Sequence, residues 1–281
     1  MNPVQIQLGT SDNGYAPSAT IWKDIKITDL QRQGNGNNGF FQRINFANFR
    51  TSSNINAAEA YWCNGLKAFG SNGGAIAAID AQGGGITISS DGDNEGVSIG
   101  SMVFPFQISR SHKKLAFEAR VKTSTIADTK HGWFLGLVGK TAITTTDSVL
   151  TATEPIAAAG TIADTNIVGF HRLEGDGDYV DTIYKADGVT QVTVQSDAQV
   201  LVADTWIKLG FRFEPVGPAG QYYIRFFANG LPLSTAYQVA SAAGTDFPND
   251  VRLGFLFALL NATGTTPGTS SIQWAQIAQE F

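Results

Sequence analysis

"DVRLGFLFALL", residues 250–260, decides the fold class of this chain. The odd positions from 251 to 259 are all Val, Leu or Phe, and this period of two is typical of a β-strand rather than a helix. The even positions from 254 to 260 are Gly, Leu, Ala and Leu, so the second face of the strand is apolar as well. A strand that is apolar on both faces predicts burial on both sides, in a layered or oligomeric setting.

The same alternation recurs along the chain and predicts an all-β protein. "KLAFEARVKTS" (114–124) reads as a strand with one buried and one solvent-facing side, and "WIKLGFRFEP" (206–215) repeats the pattern. Asp187-Gly188 and Asn229-Gly230 predict tight turns that join antiparallel strands. The strongest helical signal, a short turn capped by Asp147, lies in a Thr/Ala-rich connection that we interpret as a loop.

Composition excludes several classes of protein. Only 15% of the 281 residues are charged and the net charge is −5, with no basic run longer than residues 112–114, so nucleic acid is not expected as a partner. No window approaches 18 apolar residues, and we expect no membrane span. The lone Cys63 excludes an intrachain disulfide, and the first residues lack the pattern of a secretory signal. We therefore expect the protein to be made in the cytoplasm of a cell.

The chain divides into an N-terminal arm or extension, residues 1–50, and a β-sandwich, residues 51–281. The arm contains "QGNGNNG" (33–39), yet it also carries Phe40, Phe41, Phe46 and Phe49. Disordered tails rarely hold so many aromatic residues. We predict that the arm packs on the domain or on a neighbouring molecule.

Several stretches suggest chemistry but lack a required residue. "GLVGKT" (136–141) ends like a phosphate-binding loop, but Phe134 stands where the first glycine of that loop is needed. The histidines at 112, 131 and 171 lack zinc-site spacing, and we interpret them as residues of strand surfaces.

Acidic clusters leave one alternative open. Asp91, Asp93 and Glu95 could supply oxygen ligands to calcium, but Met102 occupies the position of the closing acid of a helix-loop-helix site. A looser calcium site remains an alternative, and no cofactor or metal is predicted. "EGDGDYVD" (174–181) is interpreted as a polar hairpin tip.

The succession of strands from residue 62 to 281, including "GWFLGLVG", "TWIKLGFRFEP" and "YYIRFFANGLPL", resembles the concanavalin-like jelly roll of laminin-G modules, legume-type lectins and laminarinase-type glucanases. The resemblance implies a sandwich of two antiparallel sheets. The glucanase branch carries its catalytic acids as E-x-D-x-x-E on one strand, and this chain has no such run. We therefore predict that the protein is not an enzyme. Sugar binding, which needs aromatic platforms, stays open through five tryptophans.

"NIVGFHRLEGDGDYVDTIYKADGVTQVTV" and "GTDFPNDVRLGFLFALLNATGTTPGTSSIQWAQIAQEF" are similar to segments of virion structural proteins of tailed bacteriophages. This resemblance implies a capsid decoration or cement protein on the outer surface of the major capsid protein lattice, acting as a dimer or trimer. Its contacts with the capsid or with other copies are assigned to Phe40, Phe41, Phe46 and Phe49. The alternatives are a glycan-binding host-recognition module of a head or tail fibre, and a carbohydrate-active enzyme with a rearranged acid pair.

Overall fold

The computed structural model describes the core of the chain and parts of the N-terminal region. The described residues are 16–25, 31–32, 39–49, 51–55, 61–63, 65–70, 74–80, 83–90, 92, 96–108, 114–127, 131–139, 166–173, 177–215, 222–235, 237–239, 246–261 and 268–280. The helix and loop predicted around Asp147, the predicted strand-surface residue His112 and the acidic residues 91, 93 and 95 lie outside them.

Within these residues the structure contains one short helix, one 3₁₀ turn at Phe46–Asn48 and many strands. The helix is α1 (Ala19–Trp22). The strands are β1 (Gln31–Arg32), β2 (Gly39–Asn45), β3 (Ser52–Ile55), β4 (Tyr61–Cys63), β5 (Leu66–Gly70), β6 (Gly74–Ala78), β7 (Ile86–Ser89), β8 (Gly96–Ser101), β9 (Phe106–Ile108), β10 (Leu115–Thr123), β11 (His131–Gly139), β12 (Ile167–Arg172), β13 (Tyr179–Lys185), β14 (Val192–Val200), β15 (Ile207–Pro215), β16 (Tyr222–Ala228), β17 (Leu231–Pro232), β18 (Tyr237–Val239), β19 (Val251–Asn261) and β20 (Thr269–Glu280).

The strands form two sheets. Sheet A has eleven strands with the main order β17-β16-β15-β10-β20-β7-β6-β3, and β2 pairs with the end of β20. Sheet B has nine strands with the order β14-β13-β12-β11-β19-β8-β5-β4, and β9 pairs with the start of β19. Every pairing is antiparallel except the short β1–β2 contact. The predicted all-β sandwich of two antiparallel sheets is thereby confirmed.

The predicted turns are confirmed by the backbone. Gly188 (φ 72°) lies in the turn between β13 and β14. Asn229 (φ 49°) and Gly230 (φ 80°) both take the left-handed conformation at the end of β16, which suits this residue pair.

The main hydrophobic core lies between the sheets and is rich in phenylalanine. Phe117 of β10 stacks on Phe211 of β15 with ring centroids 5.1 Å apart, and it also contacts Phe255 of β19 in the other sheet. Phe170 of β12 meets Phe226 of β16 edge to face at 5.3 Å. These contacts join the two sheets across the sandwich.

The central strands are buried on both faces, as the opening stretch predicted. From Leu253 onward every residue of β19 is buried, and the same holds for β20 between its two terminal residues. The solvent-facing side predicted for β10 is wrong, because Ala116, Glu118 and Arg120 are all buried there. Alternation identified the face that points away from the core, but other parts of the chain cover that face.

The last part of the predicted arm lies in the sandwich. β2 pairs with β20 over residues 39–45, and Asn45 caps the following 3₁₀ turn by accepting a hydrogen bond from the amide of Ala47. Phe46 is completely buried and its ring lies 5.8 Å from that of Phe255. No helix in the described part of the chain is long and apolar enough to cross a membrane.

Candidate functional site

The outer face of sheet A, meaning the face turned away from sheet B, is covered by residues 16–25, which we call the strap. Ile21, Trp22 and Ile25 of the strap form a small second core with Ala116, Phe227 and Ala278 of the sheet. This cluster is separate from the main core between the sheets. The strap is therefore a peptide docked on a sheet face.

Glu118 is the acceptor at the centre of this contact. Its Oε2 accepts hydrogen bonds from the backbone amide of Ser18 at 2.8 Å and from the indole Nε1 of Trp22 at 2.7 Å. The side chain is completely buried, and its other oxygen, Oε1, has no hydrogen-bond partner among the described residues. Burial raises the pKa of Glu118 above its usual value, although the bonds from Ser18 and Trp22 and the charge of Lys208 oppose that rise.

Cations of β15 hold the backbone of the strap. Arg212 Nη1 donates to the carbonyls of Thr20 at 3.2 Å and Lys23 at 3.3 Å, and Lys208 Nζ donates to the carbonyl of Ala16 at 3.1 Å. The strap can lie this close because Gly210 has no side chain: a Cβ there would come within 2.7 Å of Ile21 Cδ1.

The outer face of sheet B carries an apolar cluster with a histidine–aspartate pair beside it. Phe134, Ile183 and Leu256 are buried members of the cluster. In register on neighbouring strands, Phe134 lies opposite His171, and His171 lies opposite Asp181. This face is thus a second, independently packed layer of the protein.

The two members of the pair are hydrogen-bonded to each other. His171 Nε2 lies 3.2 Å from Asp181 Oδ2, and Asp181 Oδ1 accepts the amide of Asp197 at 2.8 Å. Burial alone would raise the pKa of Asp181, but these two hydrogen bonds and the charge of His171 hold it below its usual value. His171 Nδ1 is buried, and none of the residues that the structure describes forms a hydrogen bond with it.

A third polar group closes one end of the sandwich. His131 Nε2 lies 2.7 Å from Thr123 Oγ1, and Arg172 donates to the carbonyls of His131, Ala127 and Gly177. Burial, helped by the charge of Arg172, lowers the pKa of His131 to about 3. The interpretation of His131 and His171 as residues of strand surfaces is wrong, since both side chains are buried where a covering layer or the sandwich end encloses the strand.

A narrow cleft opens beside this group. Trp133, Leu201, Ile207 and Ser270 contribute to its walls. Its volume, about 10 Å³ measured at the centre of a water molecule, is enough for a single water. Trp206 lies half-buried near the cleft, with the guanidinium of Arg120 4.8 Å from its ring centroid and Lys122 Nζ at 5.6 Å. Such cation–π contacts fix the ring in place.

The structure separates the four predicted contact residues into two pairs. Phe46 and Phe49 are buried in the main core, whereas Phe40 and Phe41 on β2 are half-buried. Phe41 packs against the small core beneath the strap. A contact of these residues with a capsid or a second copy stays a prediction.

The predicted acidic sites differ in outcome. Asp91, Asp93 and Glu95 lie outside the described residues, and the described part of the chain contains no cluster of three metal-ligating side chains. The antiparallel pairing of β12 with β13 agrees with the predicted hairpin, and Asp181 lies in the strand predicted to follow its tip, whereas residues 174–176 of the tip lie outside the described residues.

Sequence reasoning missed Glu118 as a special residue. A single carboxylate among polar alternating positions is typical of a solvated strand face, and the docking of a segment one hundred residues away cannot be read from that pattern. The one available signal was Trp22, an aromatic residue with a donor that needs a buried acceptor.

Comparisons with known proteins bear on the fold. No protein-family model matches the sequence, and a search of the curated proteins finds no match. Among solved structures, a protein of unknown function from Shewanella oneidensis MR-1 superposes with a TM-score of 0.56 at 12% identity, over 91% of this chain and 92% of that one. The carbohydrate recognition domain of Emp47p gives 0.50 at 10% identity, over 83% and 92%.

An endo-β-1,4-glucuronan lyase from the fungus Trichoderma reesei gives a TM-score of 0.45 at 10% identity, over 86% of this chain and 94% of that one. The likeness to a lectin-type domain confirms the concanavalin-like sandwich expected from the sequence. At these identities the likeness concerns the fold and not the activity.

Proposed function

We propose that this protein is a non-enzymatic structural protein of a tailed-phage virion, a decoration or cement protein that binds the outer surface of the major capsid protein lattice and stabilises the head. The proposal takes its partner and location, the capsid surface, from the resemblance of residues 166–194 and 244–281 to virion structural proteins.

One observation carries the non-enzymatic part. The centres of both outer faces are buried, since Glu118 on sheet A and Phe134 on sheet B are each no more than 1% exposed. A sheet face that binds and cleaves a polysaccharide must be open to the substrate and present two facing carboxylates. Here the acid on one face serves as the acceptor for the chain's own strap. This arrangement supports a sandwich whose sheet faces are covered at their centres and which binds its partners elsewhere on its surface.

Binding in many copies supplies the stabilising energy in this proposal. A weakly charged body that contacts a repetitive lattice needs only modest affinity at each site, because linked contacts strengthen one another. A symmetric dimer or trimer would provide such linkage.

Co-sedimentation tests this proposal. Purified protein is mixed with mature capsids that lack it, from the phage that encodes it, and the pellet is quantified against protein alone. We expect saturable binding at a fixed ratio to the major capsid protein and a higher temperature of capsid disruption. Binding to tail tips alone, or no binding to capsids, would overturn it.

The half-buried ring of Trp206 favours a second candidate, a glycan-binding host-recognition module. Trp206 presents a half-buried ring fixed by Arg120 and Lys122, and aromatic rings of this kind can bind the apolar face of a sugar. A glycan array with wild-type protein, with Trp206→Ala and with Tyr223→Ala as a control, each with and without a chelator, tests this candidate. Sugar binding that only Trp206→Ala abolishes would favour it over the capsid role, and chelator sensitivity would point to the acidic residues 91–95.

A further inference from the structure

The charged residues of five adjacent strands of sheet A all lie on its outer face. Strand register places them in line with Glu118, on the side opposite to the phenylalanines of the core. The set contains six cations and three carboxylates, a net charge of +3 on strands of a chain whose total is −5. Its members are Arg43, Glu118, Arg120, Lys122, Lys208, Arg212, Glu214, Arg225 and Glu280. The acidic protein therefore has one basic face.

Most of these cations are used inside the protein. Arg212 and Lys208 bind the strap, and Arg212 also pairs with Glu214. Lys122 pairs with Asp204 at 3.3 Å. Because these residues bind groups within the protein, little of their charge is available to a partner.

Arg43 and Arg225 are different. Both side chains are exposed, and within the described part of the chain neither has a carboxylate partner. Arg43 lies on β2 and Arg225 on β16, four strand spacings apart, so they flank the strap at a separation of about 20 Å, given that neighbouring strands are ~4.8 Å apart. Each lies beside a half-buried aromatic residue of the same strand, Phe41 and Tyr223.

We propose that the exposed parts of the outer face of sheet A, on either side of the strap, form a docking surface for an acidic patch on a partner protein, with Arg43 and Arg225 as the two contacting cations. This inference rests on the proposed function, under which the partner is the capsid lattice. Arginine with neighbouring aromatic residues is the composition of protein interfaces, and the guanidinium group pairs with a carboxylate through two hydrogen bonds.

A protein partner fits this face better than a polyanion does. Arg43 and Arg225 are about 20 Å apart, as estimated from the strand spacing, and the chain has a net charge of −5. They therefore do not form the continuous basic surface that binds a phosphate backbone or an anionic bilayer. They do fit two separate carboxylate groups on the surface of a folded protein. Such a partner carries less negative charge than nucleic acid or an anionic bilayer, so the acidic chain is repelled less strongly by it.

Three single variants test this surface: Arg43→Glu, Arg225→Glu and, as a matched control, Arg252→Glu. Arg252 is also an exposed arginine, but it lies on β19 on the outer face of sheet B. Each variant changes the charge of the full chain equally, and thermal unfolding verifies that each is folded. Binding to capsids is measured by co-sedimentation at low and high salt, with duplex DNA and anionic vesicles as further probes.

We expect Arg43→Glu and Arg225→Glu each to weaken capsid binding about tenfold at low salt, where charge contacts are least screened, and Arg252→Glu to bind like the wild type. If all three variants bind capsids like the wild type, this inference is wrong while the capsid role stands. If the wild type does not bind capsids, the proposed function fails and the inference fails with it. Loss of DNA or vesicle binding in the two sheet A variants, with capsid binding unchanged, would overturn the protein partner.

Discussion

Replacing Glu118 measures how firmly the strap is held on sheet A. In Glu118→Ala the amide of Ser18 and the indole N–H of Trp22 lose their acceptor in a buried site. Each unpaired buried donor costs about 1–3 kcal/mol, so a strap that stays docked loses about 2–6 kcal/mol. A strap that leaves exposes Ile21 and Trp22 instead, whose burial contributes about 1.5–3 kcal/mol each.

A strap that stays docked and a strap that leaves therefore lose similar amounts of free energy. Part of the loss is offset because the variant no longer has to bury a carboxylate. We therefore expect Glu118→Ala to lower the free energy of unfolding by about 2–4 kcal/mol. Glu118→Gln keeps an acceptor oxygen in place, and at pH 7 we expect it to match or exceed the stability of the wild type. Urea unfolding monitored by tryptophan fluorescence measures all three proteins.

The pH dependence separates this explanation from simple packing. Because the pKa of Glu118 is raised in the folded state, its contribution is fully present below the unfolded pKa of about 4.5 and decreases as pH rises through the folded pKa. The stability of Glu118→Gln relative to the wild type should thus increase from pH 4 to pH 8. A constant difference, or a Glu118→Ala variant as stable as the wild type, would refute the reasoning.

Three other substitutions have expected outcomes. Phe46→Ala should cost about 3–5 kcal/mol in urea unfolding because Phe46 is fully buried, whereas Phe41→Ala should cost less, and a reversed order would contradict the packing. The pKa of Asp181 is held below its usual value, so its carboxylate contributes stability above its unfolded pKa of about 3.8. This contribution is lost as pH falls. Asp181→Asn should therefore weaken the decrease of the free energy of unfolding between about pH 5 and 2. His131, with a pKa of about 3, contributes stability above pH 6.5 that is lost towards pH 3, and NMR titration should find its ring neutral at pH 5.

Covering both outer faces changes what this sandwich can present to a partner. In a two-layer sandwich each sheet leaves one face to solvent. In this protein the strap occupies the centre of one outer face, and the cluster around Phe134 fills the other. The exposed Arg43 and Arg225 and the half-buried Trp206 lie outside the covered centres, and the proposed contacts with a partner are assigned to them.

The sequence by itself determined the elements. Alternation at residues 115–123, 207–215 and 251–260 identified three central strands, and Asn229-Gly230 identified a turn, because side-chain period and positive φ are local properties. The double apolar face of residues 250–260 also predicted burial on both sides correctly.

The tertiary structure alone decided which polar residues are buried and with what partners. Glu118, His131 and Asp181 each occupy a position that alternation assigns to a solvated or polar surface, yet each is buried and hydrogen-bonded, and the partners of Glu118 lie about one hundred residues away in the strap. Likewise, residues 39–45 belong to the segment predicted as an arm, but they pair with β20 near the far end of the chain. Local patterns determine towards which face of a sheet a side chain points. Whether that face is covered depends on contacts between remote segments. Those contacts set the pKa values of the buried groups and the charge on the surface.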